Sequence, residues 1–168
     1  MPSRVPAGVL AGVVATVTMD AALVLASHFA GGAFASDKIG LELIGRWAAG
    51  FRRGRWRHAD ITVEPRLHGE LAIGLAVHYL TGIALTEVYF ELLRRSGFGP
   101  SLAKATAFGV ATAVLPLLVL YPSMGYGCGA RRSDDARRLV RIMLLGHTAF
   151  GAGIGVWTAL PWGRAGAE

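Results

Sequence analysis

The chain has 168 residues, of which 53% are hydrophobic and 17% are charged, and its mean hydropathy is +0.46. Average soluble domains carry about 25% charged residues, so this composition argues against a soluble globular domain. The net charge of +6 does not indicate nucleic-acid binding, because the basic residues lie in short segments between long apolar runs, as membrane insertion produces. The single cysteine, Cys128, excludes an internal disulfide and a cysteine-based metal site.

Four long apolar runs predict four transmembrane helices, because about 20 helical residues cross the hydrocarbon core of a bilayer. The predicted spans are residues 5–29, 71–93, 102–121 and 139–160. We therefore predict an all-α, polytopic integral membrane protein: a four-helix bundle that forms one membrane domain over residues 1–168. A cleaved signal peptide is the alternative for the first run, since AFAS at residues 33–36 resembles a cleavage site. The length of the run and the acid Asp20 inside it favour a span.

The segment between the first two spans carries most of the basic residues. Residues 37–50 predict a short amphipathic helix at the membrane interface, and residues 51–70 predict a basic loop that begins FRRGRWRHAD. Twelve of the 17 Lys and Arg residues lie in the first and third inter-span segments, against five in the second segment and at the two termini. The positive-inside rule then places the first and third segments in the cytoplasm and both termini outside it. The bilayer, with its anionic headgroups, is the predicted partner of the basic loop.

Three ionisable side chains fall inside the predicted spans at one level, about 10 to 14 Å below the cytoplasmic surface at 1.5 Å per helical residue. They are Asp20, His78 and His147, and the helix-breaking Pro116 falls at a similar depth. A charge in the middle of a bilayer costs about 2.5 to 3.5 kcal/mol, so these groups are predicted to face the bundle interior as an intramembrane polar site. Three readings stay open: helix pinning by hydrogen bonds, proton or ligand handling, and a metal site. No closely spaced histidine pair supports the last, and neither a metal nor a cofactor is predicted.

A second candidate site lies in the basic loop and its flanks, where several cationic groups are concentrated. We predict that it binds an anionic headgroup or a small anion. Its members are Arg46, Arg53, Arg55, His58 and Glu70.

The motifs IGRWAAGFRRGRWRHADI, PRLHGELAIGLAVHYLTGIA and LPLLVLYPSMGYGCGARR, followed by a fourth span with a histidine, resemble a bacterial protein family. It is a family of small four-span inner-membrane proteins known only as a domain of unknown function. The matching residues are Asp20, Gly45, Arg46, Trp47, Arg53, Gly54, Arg55, His58, Gly69, Glu70, His78, Tyr79, Pro122 and His147. The RLHGE segment after Pro65 is more polar than the family pattern. The resemblance implies an inner-membrane location and places the loop arginines and the intramembrane groups in one pattern, but it implies no activity.

The working hypothesis is a membrane protein that binds an anionic lipid headgroup or small ligand at the cytoplasmic side of a polar intramembrane pocket. One alternative is an intramembrane lipid-modifying enzyme with a histidine as general base. The second is a proton-coupled small transporter, which with four spans would act as a homodimer. The third is a structural or accessory membrane subunit. The motifs of soluble enzymes, such as GxSxG or a Walker loop, do not occur.

Overall fold

A computed structural model describes residues 7–160, and within this range it is built from helices, turns and loops without a β-strand. Four helical stretches are long and apolar enough to cross a membrane. They are Gly8–Ala33, Glu70–Ser96, Leu102–Met124 and Ala136–Ala159. The predicted all-α fold with four membrane-spanning helices is thereby confirmed. The first two residues of the predicted 5–29 span and both termini lie outside the described residues.

The helices are, in chain order, α1 (Ala7–Ala30), α2 (Leu41–Gly50), α3 (Glu70–Ser96), α4 (Leu102–Thr112), α5 (Tyr121–Met124) and α6 (Ala136–Ala159). Single 3₁₀ turns occur at Gly31–Ala33, Phe51–Arg53, Ile61–Val63 and Cys128–Ala130. A π-helical segment, Pro116–Leu120, follows α4.

Local chemistry sets the helix boundaries. Helix α1 ends where Gly31 adopts a left-handed conformation (φ +54°), and α3 ends at Ser96, where the N–H of the left-handed Gly97 bonds to the carbonyl of Leu93. The third stretch changes from α to π geometry near Pro116, which has no N–H to donate four residues back. Helix α6 starts three residues before the predicted span, because the long side chains of its basic first turn extend towards water. The predicted interfacial helix 37–50 is shorter, since residues 37–40 form a turn and α2 starts at Leu41.

The chain divides into two compact units. Among the described residues, unit 1 contains 7–24, 79–112 and 145–160. Its core is formed by small and aromatic side chains: Ala11, Ala15, Met19, Tyr89, Phe90, Leu93, Ala105, Phe150 and Ile154. Glycines bring its helices close together. A Cβ atom at Gly12 would collide with the backbone of Ile83, and one at Gly109 would lie 2.6 Å from the Cα of Gly151.

Unit 2 contains residues 25–78 and 113–144. Its most buried side chains include Ile61, Tyr121, Met124 and Leu139. The part of the basic loop that starts at His58 packs on the end of α5, where the N–H of His58 donates to the carbonyl of Ser123 at 2.7 Å. Gly125 has φ +101°, and a Cβ there would collide with the carbonyl of Ala59, so both its conformation and its lack of a side chain are required. The basic loop is therefore packed against the end of α5 within unit 2.

Candidate functional site

A buried ion pair between Arg46 and Glu70 connects α2 to the start of α3, on either side of the basic loop. Arg46 on α2 donates from Nε to Oε2 of Glu70 and from Nη2 to Oε1, both at 2.9 Å. Its Nη1 donates to the carbonyls of Ile61 (3.2 Å) and Glu64 (3.1 Å). The side chains of Arg46 and Glu70 are only 7% and 9% exposed. This forked geometry is the strong form of an arginine–carboxylate pair.

The Arg46–Glu70 pair joins three parts of unit 2: helix α2, the turn at 61–64 and the first turn of α3. Glu70 also accepts a hydrogen bond from the N–H of Leu67 at 2.9 Å, which closes the turn into α3. Two glycines make the contact between α2 and α3 possible, because a Cβ at Gly45 would collide with the carbonyl of Glu70 and one at Gly74 with that of Leu41. Both Arg46 and Glu70 were predicted to bind an anion. In the structure the two side chains are ion-pair partners and connect the segments on either side of the loop. That they bind an anion stays a prediction.

A second cluster lies on the loop itself and centres on Glu64, which the sequence did not single out. Its Oε1 accepts from Nη2 of Arg55 at 2.6 Å and lies 3.1 Å from Nδ1 of His58. The imidazole of His58 is 4% exposed, while Arg55 is half exposed. The hydrogen bond from His58 and the charge of Arg55 lower the pKa of Glu64. The positive charge of Arg55 is therefore largely balanced by a neighbouring carboxylate.

The remaining part of the loop is basic, aromatic and exposed, and we call residues 51–57 the basic–aromatic loop. Arg52, Arg53 and Arg57 are exposed, and none of them pairs with an acid among residues 7–160. Phe51 and Trp56 expose 49% and 57% of their surface. The guanidinium of Arg57 lies over the Trp56 ring, with its carbon 5.2 Å from the ring centroid. Of the predicted anion-binding residues, Arg53 alone combines exposure with the lack of a described acidic partner.

Hydrogen bonds hold the basic–aromatic loop in shape. The indole N–H of Trp47 donates to the carbonyl of Trp56 at 3.0 Å, and the rings of Trp47 and Phe51 meet edge to face. The N–H of Arg55 bonds to the carbonyl of Gly50, next to Gly54 in the left-handed conformation. The loop is thus an ordered turn with its cations on the outside.

Two members of the predicted intramembrane site lie in unit 1, and each has a close polar partner. The hydroxyl of Tyr79 donates to Oδ2 of Asp20 at 3.1 Å. Nδ1 of the buried His147 lies 2.8 Å from Oγ1 of Thr112, which donates its single proton to the carbonyl of Gly109 at 2.6 Å. Thr112 must then accept from His147, so Nδ1 of the imidazole carries a proton.

His78, the third member, belongs to unit 2, and the convergence of Asp20, His78 and His147 on one pocket stays a prediction. Sequence reasoning missed Thr112 as the partner of His147, since nothing in the sequence links residues 35 positions apart. Tyr79, one residue after His78, is among the residues that match the family pattern. That match could have indicated Tyr79 as a member of the site. Within residues 7–160, no three His, Cys, Asp or Glu side chains form a group that could hold a metal ion.

The first and third inter-span segments contact each other inside unit 2. Lys38 forms an ion pair with Asp134, and the hydroxyl of Ser36 donates to Oδ2 of Asp135 at 3.2 Å. The contact with Lys38 lowers the pKa of the Asp134 carboxyl. These two segments therefore contact each other, which is consistent with both lying on the same side of a membrane.

The sequence model of a family described as "Protein of unknown function (DUF2938)" matches residues 9–160, which is nearly the whole chain. Neither the search of curated proteins nor that of solved structures finds a match. The resemblance to a family of unknown function, seen in the loop and span motifs, is confirmed by this match. The chain belongs to the DUF2938 family.

Proposed function

We propose that this protein is a multi-pass membrane protein that binds anionic lipid headgroups through its basic–aromatic loop. The observation that carries the proposal is the composition of the loop surface. Three exposed arginines without a described acidic partner, Arg52, Arg53 and Arg57, stand beside two exposed aromatic rings. An arginine can donate two parallel hydrogen bonds to a phosphate, and Trp and Phe rings favour the headgroup level of a bilayer.

The loop is suited to this role because it is ordered before any lipid binds. The Arg46–Glu70 ion pair fixes α2 to the start of α3, and the hydrogen bond from the Trp47 indole to the Trp56 carbonyl fixes the basic–aromatic loop to α2. A preorganised loop loses less conformational entropy on binding than a flexible one. Each basic residue near an anionic surface contributes about 1 kcal/mol, so three exposed arginines form a meaningful patch.

The proposed headgroup-binding residues differ from those of the working hypothesis. Arg46 and Arg55 are balanced by Glu70 and Glu64, so Arg52 and Arg57 join Arg53 as the headgroup-binding residues. On the charge distribution we assign the loop to the cytoplasmic face of a bacterial inner membrane, with both termini outside. A ligand pocket at Asp20, His78 and His147 remains part of the working hypothesis. Enzyme, transporter and accessory-subunit functions remain alternatives.

The test compares lipid binding by two double variants that lose the same charge. Arg52→Gln with Arg53→Gln alters the loop, whereas Arg94→Gln with Arg95→Gln alters two arginines at the end of α3, which pair with Glu91. Binding of phosphatidylglycerol and phosphatidylcholine to the detergent-purified full chain is measured by native mass spectrometry. We expect the loop pair to weaken phosphatidylglycerol binding roughly tenfold to thirtyfold, since about 2 kcal/mol is lost. Equal affinities of the two double variants would overturn the proposal.

A further inference from the structure

A shallow groove opens on unit 2 at the start of α6, away from the residues of the basic–aromatic loop. Its volume is about 380 Å³, and it is lined by Gly129, Ala136, Arg137, Val140 and Arg141. Arg137 and Arg141 are one helical turn apart, so both side chains reach the same face of α6. The other lining residues are small or apolar. The α6 groove therefore combines two cations with an apolar floor.

The two acids of the preceding segment are engaged elsewhere. Asp134 pairs with Lys38, and Asp135 pairs with Arg138 at 3.3 Å and accepts from Ser36. Among residues 7–160, neither groove arginine forms an ion pair or hydrogen bond. Both are exposed. Like charges one turn apart on a helix repel each other, and an anion that lies between them removes that repulsion.

The position of Arg141 along the helix indicates which anion this is. Helix α6 is one of the four stretches apolar enough to cross a membrane, and Arg141 is its sixth residue. The predicted span begins at Leu139, two residues earlier, so Arg141 lies only about 3 Å inside it at 1.5 Å per residue, at the level of the membrane interface. Phospholipid phosphates are found at this level of a bilayer. The apolar side chain of Val140 beside the cations suits the glycerol and upper acyl region of a lipid.

We infer that the α6 groove is a binding site for the phosphate of an anionic phospholipid, with the guanidinium groups of Arg137 and Arg141 as its donors. Arg138 lies between them in sequence but pairs with Asp135, so it does not share the role. The site uses none of the side chains of the basic–aromatic loop, and it therefore stands or falls independently of the proposed function. Inorganic phosphate shares the same chemistry but lacks the apolar part that the groove floor would contact.

The experiment titrates the detergent-purified full chain with phosphatidylglycerol and follows the bound lipid by native mass spectrometry. The test variant is Arg137→Gln with Arg141→Gln. The matched control is Arg131→Gln with Arg132→Gln, which removes the same charge from the same segment but from outside the groove. We expect the Kd for the first bound lipid to rise at least tenfold in the test variant and less than twofold in the control. Equal losses in both would overturn the site, because only net charge would then matter.

Two further arms separate the remaining explanations. Val140→Phe fills the groove without changing charge, and we expect it to weaken lipid binding while circular dichroism shows an intact helical fold; unchanged binding would overturn the site. Millimolar inorganic phosphate should compete only weakly with the lipid. If it displaced the lipid fully at the groove, the lipid assignment would be wrong. Arg52→Gln with Arg53→Gln serves as the test of the basic–aromatic loop in the same assay, so failure of one site is distinguished from failure of the other.

Discussion

The guanidinium of Arg46 and the carboxylate of Glu70 face each other in a two-bond fork, both bonds at 2.9 Å, in a part of unit 2 that is closed to solvent. Removing one member of a buried pair leaves an uncompensated charge, which costs about 3 to 5 kcal/mol. We therefore expect Arg46→Met and Glu70→Met each to lower the free energy of unfolding by an amount in this range. Thermal and denaturant unfolding in detergent, followed by circular dichroism, provides the measurement.

The double variant Arg46→Met with Glu70→Met should recover much of that loss, because it leaves no buried charge behind. Arg46→Lys tests the fork itself: it keeps the charge but cannot donate two parallel bonds, so it should lie between the wild type and Arg46→Met. Arg94→Met is the control, because Arg94 forms an exposed ion pair with Glu91 and such pairs contribute little to stability. Single-variant losses as small as this control would show that the pair does not hold the loop.

Acid is expected to weaken the cluster around Glu64. The hydrogen bond from His58 and the charge of Arg55 lower the pKa of Glu64 from its ordinary value of 4.5. A lowered pKa means that the folded protein binds the Glu64 proton less tightly than the unfolded chain does, so the carboxylate stabilises the fold above pH 4.5. This contribution is lost as the pH falls through the folded-state pKa.

The wild type should therefore be more stable than Glu64→Gln at pH 5.5, and this difference should shrink as the pH falls below 4.5, because the unfolded chain then binds the Glu64 proton before the folded protein does. Unfolding midpoints of both proteins across this range test the expectation. In a protein that also carries Arg55→Gln and His58→Gln, the effect of Glu64→Gln on stability should no longer depend on pH. A difference that stayed constant down to pH 3 in the original background would contradict the assigned pairing.

Cys128 offers a test of topology without any substitution, because it is the single cysteine, is exposed and lies in the segment that precedes α6. The proposed orientation places this segment in the cytoplasm. In bacterial cells with a permeabilised outer membrane, a membrane-impermeant maleimide should not label Cys128 until the inner membrane is broken. The matched control carries Cys128→Ser with Gly99→Cys, in an open position between α3 and α4, and should be labelled in the same cells before the inner membrane is broken. The opposite pattern would invert the proposed orientation.

The four spanning helices could be predicted because hydrophobicity is a property of each segment alone. Their ends were less predictable: α3 runs three residues beyond the predicted end, through Arg94 and Arg95 to Ser96, since charged residues continue a helix once they leave the apolar layer. The glycine spacings Gly8–Gly12 and Gly151–Gly155 are weak signals in a chain with 23 glycines. All four nevertheless lie where a Cβ would collide with a neighbouring helix or side chain.

The partner of each candidate site residue could not be predicted from the sequence, for a physical reason. Composition locates a cluster of basic residues, but a residue's role depends on its partner, and the partners are distant in sequence. Arg46 and Glu70 are 24 positions apart, and nothing in the sequence indicates that they pair with each other. Glu64, which balances Arg55, looks like an ordinary connector residue in the sequence. Only the fold separates the arginines that hold the loop from those that face outward.

Thr112 on α4 and His147 on α6 form a buried contact between two helices of unit 1. Because Thr112 donates to Gly109 and accepts from Nδ1–H of His147, Thr112→Val should leave a buried imidazole N–H without its acceptor. The expected loss is about 1 to 3 kcal/mol of unfolding free energy, whereas Thr112→Ser keeps the hydroxyl and should lose much less. Nitrogen-15 NMR of histidine-labelled protein, with His147→Gln used for assignment, should show His147 protonated at Nδ1 in the wild type and in Thr112→Ser. Equal stability of the valine and serine variants, or a ring protonated at Nε2 alone, would refute this geometry.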